Sequence, residues 1–304
     1  MVTVAVISCG SVGTQIIHSL LRLPQHRVIV LSRTPQPSLT SLGATVHPVT
    51  YTSLPELTTA LTGVHTVISC LYTFSTPITI SSTLLVLQAA QAAGVSRFAP
   101  CEFSYSRAGN TTISLYAAKE TIMDAVVASG LEYTAFRTGQ FMNYLAHGAP
   151  REGGLAGCRD FAFIVDLEKG VAEVPGTGEE RVTMVTTQDV GRFVAEACGL
   201  ERWETEMGMG AETTCYNEVV REAEKVTGRK VEVVYRSKEE LERMVEEEGD
   251  EGRRFYVQAM LSVAKGEAEV EMRLNELVDV KPVGVREFLE MWWGEEKGEA
   301  EVVE

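Results

Sequence analysis

The first thirty-three residues constrain the fold more than any other stretch of the chain. Thr3-Val4-Ala5-Val6-Ile7 is a β-branched, apolar run of the kind buried in a parallel sheet. Ser8-Cys9-Gly10-Ser11-Val12-Gly13 follows at once, and Val12, Ile16, Ile17, Leu20 and Leu21 recur at helical spacing. After Pro24, Arg27 to Leu31 reads as a second buried strand ending in Ser32-Arg33. Strand, glycine turn, helix, strand is the first unit of a dinucleotide-binding fold. There the backbone must approach a pyrophosphate, and the helix N-terminus offers it free N–H groups. Gly10 would allow that approach and Gly13 would let helix and strand pack closely. Ser8 stands where G-x-G-x-x-G has its first glycine. Ser8, Gly10, Ser11, Val12 and Gly13 are therefore the expected pyrophosphate residues, with an ordinary βα turn as the alternative.

Arg33 ends the second strand, where an acidic residue would bond the ribose of NAD and an arginine suits the 2′-phosphate of NADP. No Asp or Glu lies between Met1 and Pro55. NADP(H) is the expected cofactor, against the reading of Arg33 as a solvated strand end.

Composition narrows the class of protein. At 304 residues, 45% hydrophobic and 23% charged, the chain has the profile of a soluble globular protein of one or one and a half domains. No apolar run reaches the length of a membrane span, and the N-terminus has no basic leader, so a cytoplasmic location is expected. The six cysteines form no C-x-x-C pair and the five histidines show no ligand spacing, which argues against disulfides and against a metal site. Residues 1–150 hold 7 Lys and Arg against 5 Asp and Glu, whereas the rest of the chain holds 20 against 37. The acidic carboxyl half disfavours nucleic acid as a partner, and the slightly basic half is the one expected to hold phosphates.

Further strands are expected at Ala44–His47, Thr66–Leu71, Arg97–Pro100 and Leu131–Arg137, with helices at Leu54–Leu61, from Pro77 to Gly94, and from an N-cap at Ser114 to Gly130. Six strands with crossover helices make a doubly wound parallel sheet of Rossmann type. Ligands in such sheets bind outside the strand carboxyl ends, which brings the stretch from Ser69 to Tyr72 beside the cofactor. From His147 to Gly157 the chain turns glycine-rich, so residues 1–150 are read as the Rossmann domain and 151–304 as a smaller α+β substrate region. Helices are expected at Thr187–Cys198, Asn217–Thr227, Ser237–Glu248, Phe255–Ala264 and Val285–Trp293, and strands at Val182–Val185 and Lys230–Tyr235. Residues 294–304 read as a frayed acidic tail.

Lys119 is the leading chemical candidate, because a helix lysine facing a nicotinamide pocket can bond the ribose or act as general acid or base. A lysine on the wet face of an amphipathic helix is the alternative. Tyr116 lies one turn before it and is a candidate acid, although Tyr-x-x-Lys is one residue shorter than the Tyr-x-x-x-Lys of short-chain dehydrogenases. Packing is the alternative for Tyr116.

Several stretches together resemble one family: the glycine turn with Arg33, Gly63–Ser69, Gly94–Phe103, Lys119 with its helix, Gly139–Leu145, Thr187–Phe193, and Asp279–Val283 with Trp292-Trp293. The chain resembles fungal NmrA-like proteins, in the atypical short-chain dehydrogenase group that includes isoflavone reductases and phenylcoumaran benzylic ether reductases. The resemblance implies a Rossmann domain, a small covering region, NADPH and a catalytic role for Lys119. It places Glu102 and Phe103 beside the nicotinamide, and Phe141, Asn143 and Tyr144 at the substrate entrance, with His147 as a further pocket candidate. Core packing is the alternative for Phe141 and Tyr144. Two departures fall on cofactor binding: Ser8 for the first glycine, and Thr50 near the place of the Asp that usually follows the third strand. The reading is an NADPH-dependent reductase of a small aromatic or conjugated metabolite. Its rival is a non-catalytic dinucleotide-binding regulator that contacts a protein partner.

Overall fold

A computed structural model describes residues 2–294 of the chain. Six strands, β1 (Val2–Ile7), β2 (His26–Ser32), β3 (Thr45–Pro48), β4 (Thr66–Ser69), β5 (Arg97–Ala99) and β6 (Glu132–Tyr133), form one sheet in the order β3-β2-β1-β4-β5-β6. Every pairing in it is parallel. The crossovers contain α1 (Ser11–Leu21), α2 (Pro37–Ser41), α3 (Leu54–Ala60), α4 (Thr76–Ala92), α5 (Arg107–Thr112) and α6 (Ala117–Ala128). This is the expected Rossmann-type, doubly wound sheet. The strand order reverses between β1 and β4, and a crevice opens there outside the strand carboxyl ends.

Side-chain alternation along β1 divides the core. Val4 and Val6 pack with Ile16, Ile17 and Leu20 of α1. Ala5 and Ile7 face the other way, onto Leu57, Val86, Leu87 and Ile122 of α3, α4 and α6. Both faces are covered, so the strands read as continuous apolar runs.

Two elements differ from expectation. The helix expected from Ser114 begins as a 3₁₀ turn, Ser114–Tyr116, and becomes α-helical only at Ala117. Ser114 is not its N-cap: its N–H and hydroxyl both donate to Gln258 Oε1, at 3.1 and 2.9 Å. A contact with a residue so distant in sequence leaves no local signal. The strand expected over Leu131–Arg137 is split, β6 staying in the main sheet and β7 (Ala135–Arg137) leaving its edge to pair with Glu206–Gly208.

Beyond β7 the chain forms β8 (Gln140–Phe141), β9 (Val165–Asp166), β10 (Val171–Pro175), β11 (Val182–Val185), β12 (Glu206–Gly208), β13 (Glu212–Thr214) and β14 (Glu232–Arg236) in small sheets. Helices α7 (Thr187–Ala197), α8 (Tyr216–Thr227), α9 (Lys238–Glu247), α10 (Glu251–Ala264), α11 (Arg273–Leu277) and α12 (Val285–Trp293) alternate with them. A separate apolar cluster holds this part together, with Met142, Leu145, Val174, Met184, Tyr216, Phe288 and Trp293 among its members. The acidic tail expected at the end lies, from residue 295 on, outside the described residues. No helix among the described residues is long and apolar enough to cross a membrane.

Although it follows residue 150, α7 packs on α1, and its Val190, Phe193 and Val194 join the β1–α1 cluster. The axes approach closely at Gly191, where an added Cβ would overlap the Gln15 carbonyl. Gly191→Ala is expected to destabilise the protein by about 1–3 kcal/mol, the usual cost of overpacking. Urea unfolding measures it, and an unchanged midpoint would show that the two helices have room to spare.

Candidate active site

β1 ends at Ile7, and Ser8 takes the turn itself with φ 73. That left-handed conformation is normally supplied by a glycine, and in a serine it costs on the order of 1–2 kcal/mol. The missing first glycine has thus changed the cost of the turn but not its shape. Gly13 is sterically required, since a Cβ there would overlap the Ser8 carbonyl oxygen. Gly10 is not: a Cβ on it meets nothing within 4 Å. The protein leaves that space open in front of the first turn of α1.

No side chain caps α1, and its first turn carries no acidic residue. Its leading N–H groups are therefore free to meet an anion, as a pyrophosphate requires. Gly10, Ser11, Val12 and Gly13 line a cleft of about 200 Å³ together with Cys70, Tyr72, Cys101, Phe103, Tyr116 and Lys119. These residues fit a dinucleotide. Ser8 shapes the turn without lining the cleft, and Ser69 is fully buried beneath it, its hydroxyl accepting from Leu71 N–H at 3.4 Å. Arg33 is exposed at the end of β2 and pairs with no carboxylate among the described residues.

Lys119 is only 3% exposed, on the first turn of α6. Its Nζ donates to Ser104 Oγ at 2.9 Å and lies 4.3 Å from the ring centre of Tyr116 and 5.5 Å from that of Tyr72. No carboxylate among the described residues pairs with it. Burial lowers its pKa below the ordinary lysine value, Glu102 and Cys101 oppose this, and Arg137 adds to it. Ser104 in turn donates to Asn110 Oδ1 at 3.0 Å, and Asn110 donates to Glu102 Oε2 at 3.1 Å. Glu102 ends this chain in an ion pair with Arg137, both side chains buried.

That pairing corrects the placement of Glu102. It faces inward, bound to Arg137 and Asn110, and does not line the cleft; its neighbour Phe103 does. Tyr116 is at the junction of three cavities, lining the cleft and both pockets beyond it. Burial raises the pKa of its hydroxyl, which keeps it protonated and able to donate a hydrogen bond but makes it a weaker acid than a free phenol. Burial likewise pushes the Cys101 thiol up to about 11 and raises Cys70, so neither is a ready nucleophile.

Past Tyr116 the cleft opens into a cavity of about 850 Å³ lined by Tyr72, Phe74, Tyr144, Phe161, Phe163, Phe255 and Tyr256. A smaller chamber of about 110 Å³ branches from it between Phe103, Ser104 and Phe141. Phe141 and Tyr144 therefore face the pockets. Asn143 does not: it is fully buried, its amide donating to Gly154 O and Gln188 Oε1 at 2.8 and 2.9 Å and accepting from Thr187 N–H at 2.8 Å. It ties the segment after β8 to the start of α7. His147 also lies elsewhere, its Nδ1 2.7 Å from Asp160 and its Nε2 3.7 Å from Glu168. Cys70 and Tyr72, from the strand end expected beside the cofactor, do line the cleft, whereas Ser104 and the aromatic set at Phe161, Phe163, Phe255 and Tyr256 were not singled out from sequence. Aromatic residues at these positions look like ordinary core until distant segments are brought together.

The fold and the cleft define a Rossmann dinucleotide-binding protein with an aromatic pocket beside the cofactor turn. The chain belongs to the NmrA-like family, whose model matches residues 2–289. It is 31% identical over 236 residues to Oxidoreductase BOA1 of Botryotinia fuckeliana, an alignment covering 76% of this chain and 77% of that protein. A solved structure of AtPrR2 with NADP+ and (+)pinoresinol superposes with a TM-score of 0.77 at 20% identity, over 95% of this chain and 98% of that one. An NADPH-dependent quinone oxidoreductase from Escherichia coli, complexed with NADPH, gives 0.74 at 21% identity, over 95% and 99%.

The buried lysine has a consequence for stability. Its folded pKa lies below the unfolded value of 10.5, so below the folded pKa its charge carries the whole burial penalty. Between the two values the unfolded chain binds the extra proton, and stability rises with pH until the penalty is gone. Lys119→Met is expected to be more stable than the natural protein at neutral pH, with the gap narrowing as pH approaches 10.5. Denaturant melts across that range measure it, and a variant less stable at pH 7 would show that Lys119 is a net stabiliser.

Proposed function

We propose that the protein is an NADPH-dependent reductase of a small aromatic or conjugated metabolite. The observation that carries this reading is a buried lysine with no carboxylate partner among the described residues, standing between the glycine turn and an aromatic cavity. NADPH is favoured by Arg33, by the absence of any acidic residue before Glu56, and by the NADP(H) bound in the similar solved structures. The oxidoreductase of B. fuckeliana supports redox chemistry.

Bound NADPH supplies a hydride. Gly10 to Gly13 and the α1 N-terminus hold the pyrophosphate, and Arg33 binds the 2′-phosphate. Hydride acceptance by a carbonyl or conjugated alkene leaves negative charge on the substrate. Lys119 Nζ stabilises that charge and supplies the proton, its lowered pKa bringing it closer to working pH. The chain Lys119–Ser104–Asn110–Glu102 fixes where Nζ stands. Tyr116 forms the wall between cofactor and substrate, and its hydroxyl is a second donor. Residues 151–294 form most of the substrate region, whose aromatic lining holds a flat ring and excludes water.

Two measurements test this. In equilibrium titrations NADPH should bind more tightly than NADH, and Arg33→Asp should cost about ten- to a hundredfold in NADPH affinity, the worth of one charged hydrogen bond. Equal affinity for both dinucleotides would remove the phosphate assignment and favour a nucleotide-sensing regulator. With NADPH and a panel of aromatic enones, aldehydes and quinones, Lys119→Ala should reduce turnover by about 10²–10⁴, the range of a general acid. Full turnover in that variant would end the role given to Lys119.

A further inference from the structure

The small chamber contains an amide whose NH2 group has no acceptor among the described residues. Its walls are largely aromatic, from Phe103, Tyr116, Tyr144, Phe161, Phe163 and Phe255. Gln140 projects from β8, whose backbone is fixed by parallel pairing of Gln140 and Phe141 with Met184 and Val185. The residue is 8% exposed, and the hydroxyl of Tyr105, itself 6% exposed, donates to its Oε1 at 2.6 Å. With the amide turned this way, Nε2 keeps two N–H donors and no acceptor among the described residues. Of the chamber's other polar side chains, Ser104 Oγ accepts from Lys119 and donates to Asn110, and Tyr116 and Tyr144 also line the space.

Nε2 stays accessible rather than fully buried, so it is free to donate to a ligand or water in the chamber. The chamber, at about 110 Å³, is of the order of one six-membered ring, since an apolar cavity of about 150 Å³ accepts benzene. It shares Phe103 and Tyr116 with the cofactor cleft, so a ring held there lies next to the reacting end of the site.

We propose that Gln140 reads the substrate's oxygen: its Nε2 donates to a carbonyl or quinone-type acceptor on an aromatic ring in this chamber, and Tyr105 is the positioning residue that aims it. The ligand's standing as substrate rests on the reductase reading above. The predicted substrate class is accordingly an aryl ketone, aldehyde or quinone rather than an unfunctionalised aromatic. A site built to bond an oxygen rejects the analogue that lacks it far more strongly than an apolar pocket does.

The test compares acetophenone with ethylbenzene, which differ chiefly in that oxygen, by binding to the full chain saturated with NADP+. The ratio of their affinities should fall about tenfold in Gln140→Leu, and fall in Tyr105→Phe as well, with NADP+ affinity unchanged in both. The Tyr105 variant keeps every chamber atom except one hydroxyl, so it carries the test alone if the leucine variant does not fold. A ratio that moves less than threefold in the folded variants overturns the proposal, as does failure of acetophenone to bind the natural protein. Because binding needs no hydride transfer, the two readings fail separately. A protein that binds as expected but never oxidises NADPH loses the reductase reading alone. One that turns over aryl ketones with an unaltered ratio loses Gln140 alone.

Discussion

The site depends on a lysine that the fold buries without a carboxylate partner among the described residues. Burying an ammonium is unfavourable, and a carboxylate within bonding distance is the usual remedy. Lys119 instead receives one hydroxyl, from Ser104, and the faces of two tyrosine rings. These interactions hold Nζ in place while leaving its charge largely uncompensated, so it can respond to charge arriving from elsewhere. A direct carboxylate would have stabilised the lysine more and made it a poorer proton donor.

The nearest carboxylate shows how that is arranged. Glu102 is close enough to oppose the lowering of the Lys119 pKa, yet it is committed to Arg137 in a buried ion pair. The two charges largely cancel at a distance, and the contact reaching Lys119 is relayed through the neutral groups of Asn110 and Ser104. Arg137 comes from β7, the strand that leaves the main sheet to pair with β12. Splitting the sixth strand is thus part of how the site's electrostatics are set. Breaking a buried pair of this kind leaves one charge stranded, which ties the fold's stability to the lysine's environment.

What could be read from the sequence follows the range of the interactions involved. The turn at Ser8 to Gly13 was legible because strand, turn and helix are adjacent in the chain and their geometry is local. Lys119 with Tyr116 was legible because residues one helical turn apart are neighbours whatever the rest of the chain does. Glu102, Asn143 and His147 were misplaced because motif proximity says nothing about which way a side chain points. Each sits within a few residues of a true lining residue, Phe103, Phe141 or Tyr144, and each turns away to bond a partner far off in sequence. The aromatic cavity was illegible for the same reason: Phe161, Phe255 and Tyr256 meet Tyr72 and Tyr116 only after the chain has returned twice.

That return explains why the covering region is not a freely hinged appendage. Asn143 bonds the start of α7, Gly191 brings α7 against α1, and Gln15 of α1 donates to Ala156 O at 3.3 Å. Helix α1, whose first turn lines the cleft, is therefore braced by residues from the other half of the chain. The walls of the aromatic cavity and the glycine turn share one scaffold, and Tyr116 borders both the cavity and the cleft. A reaction that needs a donor ring and an acceptor ring face to face gains most from such bracing, since a misplacement of about 1 Å can cost on the order of a hundredfold in rate.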